Sequence, residues 1–276
     1  MVSDGSVGGL LREWRRRRKL SQLELAIRAE VSSRHVSFVE TGRTTPSAAM
    51  VLHLAEHLAV PLRERNRLLV AAGHAPVFRQ TPLDDPDMSG VRAALEQVLQ
   101  AHSPYPALAV DRRWNLLLAN DPFNRFLDSL DPKLRKAPIN LMRLGLHPDG
   151  GLASRISNLA QVRAYLLPRL AHQAAVSGDP ELHHLHDELV ANSPFDTTEP
   201  DRPASGADAV NLGVPDPAEI ALPIRIRHRG AELTFLTTVT TFGTAFDITL
   251  DEIAIETYLP ADQQTAAYLR RVPNNG

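Results

Sequence analysis

The chain has 276 residues, 43% hydrophobic and 22% charged, with 30 Lys and Arg against 32 Asp and Glu. That composition suits a globular protein with room for two domains and argues against disordered or collagen-like chains. Cysteine is absent, which excludes disulfides, thiolate nucleophiles and cysteine-based zinc sites and favours a reducing interior. The arginine run near the start has no apolar stretch after it, and no window approaches the ~18 apolar residues of a membrane span. Neither signal peptide nor anchor is expected, and the cytoplasm is the expected compartment. Charge is unevenly spread: residues 1–75 hold 12 Lys and Arg against 7 Asp and Glu, and the remainder 18 against 25. A basic front end suits a polyanion, whereas the acidic body would be repelled by one and serves another task.

Residues 8–73 read as five short helices. Leu10, Leu11 and Trp14 stripe the first. Ser21 caps the second, with Glu24 completing a capping box and Leu23, Leu25, Ala26 and Ala29 as its apolar positions. Ser32 caps the third, Val36 and Val39 share one of its faces, and Gly42 ends it. Pro46 and Ser47 open the fourth, which carries Met50, Val51, Leu54 and Leu58. Pro61 opens the fifth, with Leu62, Leu68, Leu69 and Ala72 before Gly73.

The Pro- and Asp-rich run from His74 to Ser89 has the composition of a linker. The expected division is a domain over 1–75, a linker over 76–90 and a second domain over 91–276. In the second domain "SGVRAALEQVLQAH" is helical. "YPALAVDRRWNLLLAN" alternates as two strands around Asp111-Arg112-Arg113, with a helix from Pro122 to Leu130. Residues 152–192 are helical with a break at "SGDP", and residues 192–219 are an irregular connection. "IALPIRIRHRGAELTFLTTVTTFG" alternates as a hairpin turning at Arg229-Gly230, and "FDITLDEIAIETYLPAD" supplies one more strand.

The second and third helices, separated by Glu30-Val31-Ser32, have the spacing of a helix-turn-helix, whose second helix lies in the DNA major groove. Free amides at the start of the second helix, together with Gln22, suit a phosphate oxygen. With Val36 and Val39 inward, Ser33, Arg34, Ser37 and Phe38 face out. Arg34 can bond guanine bidentately, Ser32, Ser33 and Ser37 reach bases or phosphates, and Phe38 suits a thymine methyl. Arg43 and Thr44, beyond Gly42, are placed for the DNA backbone. Through "LSQLELA", the turn and "VSFVETGRTTPS", this stretch resembles the lambda-repressor-like or Xre-type helix-turn-helix family. The resemblance implies an internal ion pair between Arg15 and Glu40.

"ALAVDRRWNLLLAND" resembles the opening of a PAS-like sensor domain, whose curved antiparallel sheet and helices enclose a small-molecule cavity. With "NLMRLGLHPDGG", "GDPELHHLHDEL" and the closing "TTFGTAFDITLDEIAIETYLPADQQTAAYLR", residues 98–271 resemble the C-terminal ligand-binding domain of MmyB-like transcription regulators. That resemblance implies a small apolar effector, with fatty acids the implied class. The expected fold is thus an all-α, five-helix helix-turn-helix domain followed by an α+β PAS-like domain with an antiparallel sheet. Candidate ligand contacts are Trp114, Leu116, Leu118, Phe123, Phe126, Phe235, Val239 and Phe242, with Arg112, Arg113 or Arg143 as carboxylate partners. Double-stranded DNA and a second copy of the chain, paired through the C-terminal domain, are the expected partners.

Against this stand an enzyme or a protein-interaction domain fused to the helix-turn-helix. No G-x-S-x-G elbow, Gly-rich phosphate loop or His-Glu-x-x-His helix occurs. His183 with His186 or Asp187 on one helix face is an incomplete metal set. Asp247 and Glu252 read as a proton-transfer pair or as caps and turn residues. No cofactor and no catalytic activity are expected.

Overall fold

The computed structural model describes residues 5–193 and 221–271. Most of the irregular connection expected over 192–219 lies outside them. Contacts divide the chain into two compact units. One comprises residues up to Met88 together with Phe242–Glu252, and the other Ser89–Thr241 with the chain from Ile253 onward.

The first unit contains α1 (Val7–Arg17), α2 (Gln22–Arg28), α3 (Ser33–Glu40), α4 (Ala48–His57) and α5 (Leu62–Ala71). Ser6, Ser21, Ser32 and Ser47 each accept a backbone N–H three residues on, and Ser21 with Glu24 closes the full capping box. Leu11, Trp14, Leu25, Val36, Val39, Val51, Leu54, Leu68 and Leu69 are buried together. Such burial contributes roughly 1.5–3 kcal/mol per large apolar side chain. Leu23 departs from its expected core position: it is 59% exposed. Leu25, Ala26 and Ala29 take the inner face, leaving Leu23 and Ile27, one turn apart, on the outer one. Lys19, Glu30 and Ala59 end three of these helices in the left-handed region without glycine.

The expected linker is largely built into this unit. Asn66 Oδ1 accepts from Val77 N and Phe78 N, and Asn66 Nδ2 donates to the Phe78 carbonyl. By its contacts this unit extends to Met88, itself buried.

The second unit runs through α6 (Ser89–Ala101), β1 (Ala107–Val110), β2 (Leu116–Ala119), α7 (Asp121–Asp128), α8 (Leu141–Leu146), α9 (Leu159–Ser177) and α10 (Pro180–Ala191). It continues in β3 (Ile224–His228) and β4 (Ala231–Thr241) and, after the return from the first unit, in β5 (Ala254–Pro260) and α12 (Gln263–Arg271). The five strands pair antiparallel in the order β2-β1-β5-β4-β3. Arg229 and Gly230, at φ 48° and 81°, make the hairpin turn between β3 and β4. Asn120 is fully buried: its Oδ1 caps α7 and accepts from Ala107 N, while its Nδ2 donates to the carbonyls of Leu99 and Tyr105. One side chain therefore joins the end of α6, β1 and α7.

Residues 242–252, expected in the second domain, belong to the first unit. They carry α11 (Ile248–Asp251). Asp247 caps it and also accepts from Thr81 N and Oγ1, Ile248 N donates to the Arg79 carbonyl, and Arg63 grips Glu252 through two hydrogen bonds of 2.8 and 2.9 Å. Asp247 and Glu252 are thus a cap and an ion-pair partner, not a proton-transfer pair.

Candidate functional site

The first candidate is the outer face of α3. The turn from α2 closes with Glu30 at φ 51° and the Val31 N–H on the Ala26 carbonyl, so α3 leaves at an angle with its valines against the bundle. Ser32, Ser33, Arg34 and Arg43 are exposed, and Ser37, Phe38 and Thr44 half-buried. The Arg34 and Arg43 guanidinium carbons lie 5.0 and 5.6 Å from the Phe38 ring centre. Each cation is attracted by the ring's π-system, which ties both arginines to Phe38. Among the described residues neither arginine is in an ion pair. His35 Nε2, on the same helix, is buried with no partner among the described residues.

Behind this face, Arg15 donates from Nε to Glu40 Oε1 at 2.6 Å, from a terminal nitrogen to Oε2 at 2.9 Å, and from the other to the Leu20 carbonyl at 2.7 Å. Burial pushes the Glu40 carboxyl up. Hydrogen bonds from Arg15 and Gln22 and the charges of Arg15 and Arg12 outweigh it and hold the group below the ordinary carboxylate value. Gln22, expected on phosphate, donates its side-chain amide to Glu40 Oε2 at 2.8 Å. Gly8 lets α1 lie against the end of α3, where a Cβ would meet the Val39 carbonyl oxygen at 2.4 Å.

The second candidate is a cavity of about 120 Å³ in the second unit, where two buried apolar clusters meet. Trp114, Phe123, Phe126 and Phe235 line it. Tyr258 joins them, its ring 6.2 Å from those of Phe123 and Phe235. Trp114 sits at φ 68° in the β1–β2 turn, and its indole N–H donates to Gln173 Oε1 at 2.9 Å. The other polar side chains on the wall are Thr237, Glu256 and Tyr258.

Four of the eight expected apolar ligand contacts, and all three expected arginine partners, lie elsewhere. Leu116 packs against one of the two clusters without lining the cavity, Leu118 is half-buried and off the wall, Val239 is 52% exposed, and Phe242 belongs to the first unit. Arg143 is gripped by both oxygens of Glu188. Arg112 and Arg113 converge on Asp179, so none of the three arginines reaches the cavity wall. Glu256 and Tyr258 were missed because alternation in "AIETYLP" favours Ile255 and Leu259 as the inward residues. His183 Nδ1 is at 2.9 Å from the Asp179 carbonyl and His186 beside Asp187, and no group of three or more metal-ligating side chains forms among the described residues.

Comparison with known proteins matches residues 6–68 to a helix-turn-helix domain family. An uncharacterized HTH-type transcriptional regulator, RghRB of Bacillus subtilis (strain 168), is 43% identical over 72 residues. The match covers 26% of this chain, and the chain spans about half the length of that relative. The family described as the MmyB-like transcription regulator ligand binding domain matches residues 91–272, about two thirds of the chain. An N-terminal helix-turn-helix thus precedes a cavity-bearing α+β domain, and the chain belongs to the MmyB-like transcription regulator ligand-binding domain family.

Proposed function

We propose that the protein is a cytoplasmic, sequence-specific DNA-binding transcriptional regulator, acting as a homodimer, whose second unit binds a small apolar ligand. The outer face of α3 carries the DNA reading: Ser33, Arg34, Ser37 and Phe38 stand outward while Val36, Val39 and the Arg15–Glu40 pair hold the helix from behind. In a major groove Arg34 reads guanine, Ser33 and Ser37 reach bases or phosphates, Phe38 meets a thymine methyl, and Ser32, Arg43 and Thr44 contact the backbone. Two copies would address half-sites about 34 Å apart or a multiple of it.

The apolar wall supports a hydrophobic effector, and its lining residues include no Ser, His, Lys or Arg, which favours a binder over an enzyme. For a fatty acid the chain finds a suitable wall, but the expected arginine partners of its carboxylate are engaged by Asp179 and Glu188. Strands β4 and β5, which supply Phe235, Thr237, Glu256 and Tyr258 to the cavity, are joined through residues 242–252 of the first unit. This continuity supports ligand-dependent DNA occupancy, which requires differential affinity between two states. The test of the DNA reading is selection from a random duplex library by the full-length protein and by Arg34→Ala. The variant should lose about 1–3 kcal/mol of preference at one base position. Unchanged selectivity at every position would remove Arg34 from base reading.

A further inference from the structure

The polar end of the cavity has the wrong sign for a carboxylate. Glu256 on β5 lies in register between Leu108 of β1, fully buried, and Val239 of β4. It shares the cavity wall with Tyr258, whose hydroxyl donates to Glu256 Oε2 at 3.1 Å. Among the described residues no cation is within ion-pair distance of Glu256, and the cationic influence on it is that of Arg169 on α9. The remaining polar wall is Thr237 and the Trp114 indole, whose N–H is taken by Gln173. Burial pushes the Glu256 carboxyl up and the Tyr258 phenol well above its ordinary value of 10.0, so the phenol stays a donor. A carboxyl in apolar surroundings is stabilised in its charged form by an opposite charge within about 4–6 Å and opposed by a like one.

We propose that the cavity takes an apolar ligand bearing one protonated amine, with the ammonium group on Glu256 and the hydrocarbon against Trp114, Phe123, Phe126 and Phe235. This deepens the reading of the cavity as the effector site and rests on it. A ligand ammonium supplies the missing counter-charge, and Tyr258 orients the carboxylate that receives it. A ligand carboxylate would set a second negative charge beside Glu256.

Calorimetric titration of the full chain at neutral pH with octylamine, 1-octanol and octanoate, all of one chain length, tests this. Octylamine should bind at least about tenfold more tightly than octanol, the ratio expected of a charge-assisted hydrogen bond, and octanoate should bind most weakly. Glu256→Gln should erase the amine's advantage while keeping the octanol affinity, which also shows that the variant retains its cavity. Octanoate binding as tightly as octylamine, or an amine advantage that persists in Glu256→Gln, overturns the inference. Octanol binding without amine preference overturns the inference alone, and failure of all three probes to bind overturns the effector-site reading with it.

Discussion

Replacing Arg15 with alanine strands the Glu40 carboxylate, whose side chain is 1% exposed, without the two hydrogen bonds that grip it. Breaking a buried pair from one side costs about 3–5 kcal/mol, because the surviving charge stays desolvated. Here Gln22 still donates to Oε2 at 2.8 Å and Arg12 Nε lies 3.5 Å from it, so the lower end, about 3 kcal/mol, is expected. The Leu20 carbonyl also loses its donor, tying the effect to the α1–α2 turn. Native-state hydrogen exchange of the α3 amides in the full chain assigns the loss to this unit. A loss of about 3 kcal/mol should quicken exchange through global opening about a hundredfold. The sign with pH follows from the lowered Glu40 carboxyl. A depressed carboxylate stabilises the fold fully above its ordinary value of 4.5 and progressively less as pH falls through the folded value. The difference between wild type and Arg15→Ala should therefore be complete at neutral pH and shrink below that value. A loss under about 1 kcal/mol at neutral pH, a surface-pair magnitude, would refute the reasoning.

Two further substitutions probe packing. Gly8→Ala sets a Cβ 2.4 Å from the Val39 carbonyl oxygen and 2.9 Å from that of Glu40. Overpacking of about 1–3 kcal/mol should outweigh the ~1 kcal/mol gain in helix propensity, and urea titration showing a neutral or stabilised variant would refute the close approach of α1 and α3. Gly145→Leu acts at a lining residue of the cavity where a new Cβ meets nothing within 4 Å. Its side chain should occupy ligand space and lower 1-octanol affinity at least about tenfold, by roughly 1.4 kcal/mol, without loss of thermal stability; unchanged affinity would place the ligand elsewhere.

What could be read from the chain alone was written in short-range chemistry. Ser21 with Glu24, Ser32 before His35, Gly42, and the Arg229-Gly230 turn act over one to four residues, where steric and hydrogen-bond rules are nearly context-free. The valines of α3 followed from helical spacing, and so did the outward face opposite them. Lys19, Glu30 and Ala59 were harder, because they adopt a left-handed end that glycine would have announced. There the packed bundle, not the local residue, decides the turn.

The amino-acid order by itself determined the first unit's helices, their caps, the exposed α3 face and the antiparallel α+β character of the second unit, since periodicity and capping are properties of neighbours along the chain. Only the tertiary structure decided which distant groups meet. Gln22 turns to Glu40 18 residues on, Arg143 to Glu188 45 residues on, and Arg63 to Glu252 189 residues on. The same holds for Glu256, which strand alternation assigns outward and which lines the cavity once β1 and β4 pair on either side of it. Electrostatic partnership and enclosure depend on distance in space, and no spacing along the chain encodes that distance.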